Sequence, residues 1–213
     1  MNDIQAYRKY PHLTHWYNKL WFSEKMGYDC GPASISPTKS GWYVVRPIMN
    51  LSGMGVGAKK VWIEAGDHKQ VPLGYFWCEW FDGNQYSVTY EWQDYTNGWN
   101  PISCWEGIKN EDNLSKFTKW IKTDFYPDIG IFFHELADVN RINVEFIENK
   151  PIEVHLRTSP DPDYDIIIPV WQESKYLIDK HKEMGYTYIS SYDNADGFLE
   201  IPRIGFMTKN KGD

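Results

Sequence analysis

The chain of 213 residues is long enough for one large domain or two intimate lobes. Aromatic residues make up 17% and include 11 Trp, enough for a sizeable core and more than a disordered chain carries. A net charge of −7 argues against a general nucleic-acid binder, while a local basic groove stays open.

The N-terminal stretch MNDIQAYRKYPHLTHW has no apolar signal region, and no run of about 18 apolar residues occurs. Cys30, Cys78 and Cys104 are odd in number and widely spaced, so neither a disulfide framework nor a cysteine metal site is implied. A reduced, cytoplasmic protein without a membrane partner is the expectation. Leu13, Trp16, Tyr17, Leu20, Trp21 and Glu24 recur at helical spacing before Gly27, which predicts an amphipathic helix over 13–26. Strands are predicted at 42–48, 59–64, 74–81 and 85–92, and 93–112 reads as irregular. Leu114, Phe117, Trp120 and Ile121 predict a helix over 113–123. A buried strand over 166–171, a helix over 172–184 stopped by Gly185, and a strand pair within 186–207 complete the chain. Hairpins mixed with separate helices, without regular strand–helix alternation, define an α+β class with mainly antiparallel sheets.

The stretch RINVEFIENKPIEVHLR alternates polar and apolar residues on both sides of a short turn. With Glu148-Asn149-Lys150 as the loop, Ile147 pairs with Pro151, Glu145 with Glu153, Asn143 with His155 and Arg141 with Arg157. A slip of one residue would turn the charged set into the core, which defends the register. Opposed Cβ atoms lie roughly 5 Å apart, and like charges there repel. A shared proton, a neighbouring arginine or a divalent cation would neutralise the two glutamates. A solvated sheet face with scattered charge is the plain alternative.

Gly53-Met54-Gly55-Val56-Gly57 lies between two predicted strands, so it caps a hairpin and does not lead from strand to helix as dinucleotide and P-loop motifs do. Backbone N–H groups of such a loop can approach phosphate oxygens, with Arg46 on the preceding strand as a fixed charge. Taken alone, the loop reads equally as an ordinary hairpin tip.

In this order the motifs resemble the ATP-grasp superfamily of ATP-dependent ligases over roughly 12–160. In that family a strand carries a cation before a glycine-rich loop. An acidic–apolar–apolar–x–Gly segment leads to the adenine, and two late strands supply acidic magnesium ligands, the second usually in Glu-x-Asn-x-Arg. The resemblance implies a fold of two α+β lobes, at about 28–81 and 82–213, with the nucleotide site between them. It implies ATP held by Arg46, Gly53, Met54, Gly55, Gly57, Glu79, Trp80, Phe81 and Gln85. It implies Mg2+ at Glu145, Glu153 and His155, with Arg157 and Arg141 on the transferring phosphoryl group or an acceptor carboxylate. Arg46 replaces the commoner Lys, Gln85 a frequent acidic residue, and His155 the usual Asn. The N-terminal domain usual in the family is not read in this sequence, so the expectation is that a protein partner supplies that surface, that the acceptor binds differently, or that the protein is no longer an enzyme.

The reaction so implied is activation of an unidentified carboxylate through an acyl phosphate for attack by a nucleophile. An inactive nucleotide-binding or assembly protein, and an aromatic-rich module for carbohydrate or protein, are the competing readings. His12-x-x-His15 and His134-Glu135 lack further ligands, and the acidic segment 159–165 reads as a solvated connection.

Overall fold

Asn2 starts the first helix by a reciprocal cap: its Oδ1 accepts from the Gln5 N–H at 2.9 Å, and the Gln5 side chain accepts from the Asn2 N–H. This helix, α1 (Asp3–Lys9), was not among the sequence expectations. The computed structural model describes residues 1–67, 69–109, 114 and 116–212. The helix expected over 13–26 is two pieces, a 3-10 turn Pro11–Tyr17 and α2 (Lys19–Lys25). Asn18 divides them, because its extended backbone and its cap to the Trp21 N–H start a new helix.

Strands β1 (Cys30–Pro32), β2 (Gly41–Pro47), β3 (Lys59–Ile63) and β4 (Tyr75–Glu79) form an antiparallel sheet in the order β1-β4-β2-β3. Next come β5 (Gln85–Gln93), β6 (Gly98–Lys109), β7 (Phe117–Lys122), β8 (Arg141–Ile147), β9 (Lys150–His155) and β10 (Ile166–Trp171). After helix α3 (Leu177–Glu183), β11 (Thr187–Asp193) and β12 (Arg203–Lys209) end the chain. The eight strands β5–β12 make one sheet in the order β11-β12-β10-β7-β6-β5-β8-β9. The α+β class with antiparallel sheets is therefore as read.

Two sequence readings are corrected here. The span 93–112 carries the long strand β6, and the described part of the 113–123 helix is the strand β7; Asn113 lies outside the described residues. Phe117, Trp120 and Ile121 imitate a helical period because a register shift opposite Ile108 and Lys109 interrupts the alternation. The glutamate hairpin also differs at its tip. Ile147 pairs with Lys150 and Phe146 with Pro151, while Glu145↔Glu153 and Asn143↔His155 hold as read. A bulge after Glu145 absorbs the extra residue, Ile152, and β9 ends at His155, so Arg157 is not paired with Arg141.

The large sheet has two different faces. Val88, Val144 and Val154 form one cross-strand row and are at most 1% exposed. They meet Leu13, Trp16, Phe22, Phe133 and Leu136 in the main core. The neighbouring row on the opposite face is Ser87, Glu145 and Glu153. Covering one face with helices and 3-10 turns leaves the other for a cleft.

Candidate active site

The polar face of β5, β8 and β9 gathers most of its charge around one histidine. His155 is buried, with Nδ1 3.1 Å from both carboxylate oxygens of Asp3. Its Nε2 lies 3.7 Å from Glu145 Oε1 and 3.8 Å from Glu153 Oε1. Burial alone would discharge the ring, but the charge and hydrogen bond of Asp3, with help from Glu145, push its pKa up to about 9. An imidazolium therefore sits between the facing glutamates. Lys19 Nζ adds a second cation 2.8 Å from Glu153 Oε2. Burial opposes the Glu153 charge, yet Lys19 and His155 outweigh it and hold the carboxyl below its usual range. Gln85 donates to Glu145 Oε2 at 2.8 Å.

Asp3 is shared further. Arg157 Nη2 donates to its Oδ2 at 2.5 Å, and the Tyr17 hydroxyl donates to Oδ1 at 3.5 Å. Burial would raise the Asp3 pKa, but His155 and Arg157 hold it well below the carboxylate range. Nδ1 is committed to Asp3, so the ring turns Nε2 toward the two glutamates. Among the described residues no group of three or more His, Cys, Asp or Glu side chains makes a metal cage.

The four-stranded sheet faces this centre. Arg46 on β2 is buried, its guanidinium 5.3 Å from the Phe76 ring centroid, and Nη2 donates 3.1 Å to the carbonyl of Ile152, the residue at the β9 bulge. Gly53, Met54 and Gly55 line the cleft in left-handed conformations, with φ of 69°, 56° and 61°. Asn50 braces their loop by donating to Gly53 O at 2.9 Å and accepting from Ser52 N–H at 3.0 Å. Ser52 reaches across to Asp196 of the β11–β12 connection at 3.1 Å. Glu79, Trp80 and Phe81 also line the cleft. Glu79 accepts from the Asp29 N–H at 3.1 Å, Lys60 stands 4.2 Å over the Trp80 ring, and Lys150 stands 4.0 Å over Phe81.

Two expected residues fall outside. Gly57, at φ 79°, packs under Tyr75 and Pro47 without lining the cleft. Arg141 is half exposed and paired with Glu91 at 2.6 Å, at the far end of β8. The other sequence-predicted residues share one cleft of about 780 Å3 between the two sheets. Sequence reasoning missed Asp3, Lys19 and Lys109. The Asn2–Gln5 capping pair was a readable signal for α1, but nothing in the sequence ties Asp3 to His155. Arg46, Arg157 and Arg203 line the cleft, and each has a buried Nε without a hydrogen-bond partner among the described residues. Buried orphaned donors of this kind suit an anionic ligand.

The fold has solved counterparts. Over 96% of the chain it superposes on 70% of N5-carboxyaminoimidazole synthetase from Staphylococcus aureus complexed with ADP, at TM-score 0.54 and 12% identity. It matches an ADP complex of N5-carboxyaminoimidazole ribonucleotide synthetase over 95% of the chain and 69% of that protein, at TM-score 0.56 and 11% identity. Carboxyaminoimidazole ribonucleotide synthase from Aspergillus clavatus complexed with ATP matches over 93% of the chain and 69% of that protein, at TM-score 0.55 and 8% identity. No family model matches the sequence, and no curated protein matches it. The chain has the ATP-grasp fold. Among the described residues no helix is long and apolar enough to cross a membrane.

Proposed function

We propose that the chain binds ATP in the cleft between its two sheets and uses it to activate a carboxylate. The observation that carries this reading is the meeting of Arg46, the 53–55 loop and the facing Glu145–Glu153 pair around one cleft of about 780 Å3. The nucleotide complexes among the superposed structures support it.

Glu79, Trp80 and Phe81 would border the adenine, with Gln85 toward the ribose. Arg46 and the loop N–H groups would hold the phosphates, where they neutralise charge without reorganising. The carboxylate oxygen attacks the γ-phosphorus, the bond to the β–γ bridging oxygen breaks, and ADP leaves. A nucleophile then attacks the acyl carbon and expels phosphate. Arg157 would orient the acceptor or the transferring group once Asp3 yields it.

The two carboxylates fit a magnesium ion that takes its remaining ligands from phosphates and water. Their mutual charge is balanced here by His155 and Lys19, so a magnesium ion would share the two carboxylates with those cations. Glu145 and Glu153 would hold the ion, which supplies charge neutralisation to the phosphates. A second reading is nucleotide binding without turnover. The engagement of Arg157 by Asp3 favours it, because one Nη of the guanidinium is already held by a carboxylate of the chain. In either reading the reduced cytoplasm and a protein partner remain parts of the proposal.

Calorimetric titration with ATP, with and without magnesium, on the native chain and on Glu145→Gln/Glu153→Gln tests this. Magnesium-dependent binding lost in the double variant supports it. No ATP binding under either condition overturns it. Phosphate release on adding a carboxylate and an amine separates the two readings.

A further inference from the structure

The cleft has a second half that the phosphate and glutamate centre does not use. On β6, β7 and β10 the same sheet face turns aromatic. Ile167, Trp120, Gly107 and Gln85 form one cross-strand row, continuous with the polar strands. Trp105, Phe117, Trp120 and Trp171 line this end. Gly107 makes the floor: a Cβ there would meet the Phe117 ring at 2.6 Å and the Trp120 ring at 2.8 Å, so only glycine lets both rings lie over the strand. The two rings meet at 4.2 Å with 35° between their planes. Phe117 and Trp120 are only partly buried, and beside a charged centre they make an apolar wall with capacity to take a ligand.

At the boundary of the two halves stands Lys109. It lines the cleft, with Nζ 5.6 Å from the Phe117 ring centroid, and it forms no ion pair among the described residues. Burial lowers its pKa, and the charge of Glu145 opposes that shift, so Lys109 feels the glutamate centre on one side and the aromatic wall on the other. Arg203, farther along, is not a free cation. It lies 3.2 Å from Asp193 and 3.6 Å from Asp161, over the Phe206 ring.

Resting on the ATP-dependent reading above, we propose that this end is the acceptor subsite and that the acceptor is a carboxylic acid bearing a flat aromatic group. Its ring lies against Phe117 and Trp120, the two rings that cover Gly107, and Lys109 pairs with its carboxylate. That arrangement turns the carboxylate toward Glu145 and the phosphate side, where phosphoryl transfer would occur.

The test is titration of the native chain with 3-phenylpropionate and with acetate, read by tryptophan fluorescence and calorimetry, in the absence of nucleotide. Saturable binding of 3-phenylpropionate at least about tenfold tighter than acetate is expected. Trp120→Ala and Lys109→Met should each weaken it by about tenfold or more, with melting curves confirming folded variants. Equal binding of both acids, or unchanged affinity in Lys109→Met and Trp120→Ala, overturns the proposal. ATP is titrated separately. A chain that binds 3-phenylpropionate as predicted but not ATP keeps the subsite and removes the ligase reading. A chain that binds ATP but no aromatic acid does the reverse.

Discussion

Asp3 and His155 stand 152 positions apart in the chain, yet both Asp3 carboxylate oxygens lie 3.1 Å from one imidazole nitrogen. The contact fastens the N-terminal helix to the strand that carries Glu153. It also decides the charge of the histidine between the two glutamates.

Stability should therefore depend on pH from both sides. His155 has a folded pKa of about 9 against an ordinary 6.5, so its contribution is complete below about 6.5 and is lost as pH rises through 9. Asp3 is depressed, so its contribution is present above the usual carboxylate pKa and is lost only in strong acid. The melting temperature should fall between pH 7 and 9.5 by an amount equivalent to a few kcal/mol at most. Asp3→Asn should lose roughly 3–5 kcal/mol at pH 7 and flatten the alkaline limb. A native alkaline limb retained in Asp3→Asn would contradict the pairing.

Lys19→Met leaves Glu153 buried without its 2.8 Å partner. A loss of roughly 3–5 kcal/mol in urea unfolding is expected. Adding Glu153→Gln should recover a good part of it, since the uncompensated charge is removed. Additive losses would mean that the two side chains act independently.

Glu145→Gln keeps the hydrogen-bonding partner of Gln85 while removing one charge from the pair. ATP affinity in magnesium should drop about tenfold, with little change in metal-free affinity. Calorimetry at two magnesium concentrations reads the difference directly.

The glycine loop separates backbone strain from crowding. Gly53 has φ 69° with open space around a new Cβ, so Gly53→Ala should cost about 1 kcal/mol. Gly57 has φ 79°, and its Cβ would meet the Tyr75 hydroxyl at 2.8 Å and Pro47 at 3.1 Å. Gly57→Ala should cost more, about 2 kcal/mol, measurable as a lower urea midpoint.

Alternation made the glutamate hairpin readable, because the buried valine row and the polar row obey a period of two. It failed at Ile152, where the bulge carries no periodic mark and moves the pairing at the tip by one residue. β6 escaped notice because Pro101 and Gly107 punctuate it and its aromatic face lines a cleft, so inward and outward residues differ little in polarity. Arg46, Gly53, Met54, Gly55 and Glu79 were readable as an ordered set of motifs. Asp3 and Lys19 were not, since their importance arises only when distant segments fold against β9.

The Arg46 hydrogen bond to the Ile152 carbonyl joins the four-stranded sheet to the strand bearing Glu153. A hinge that swung the sheets apart would withdraw the guanidinium from the cleft and release the bulge beside the glutamate in one stroke. In the proposed ATP-binding reading, the Arg46 contact to phosphate and the carboxylate geometry are thus mechanically ganged, and an open conformation would lose both together.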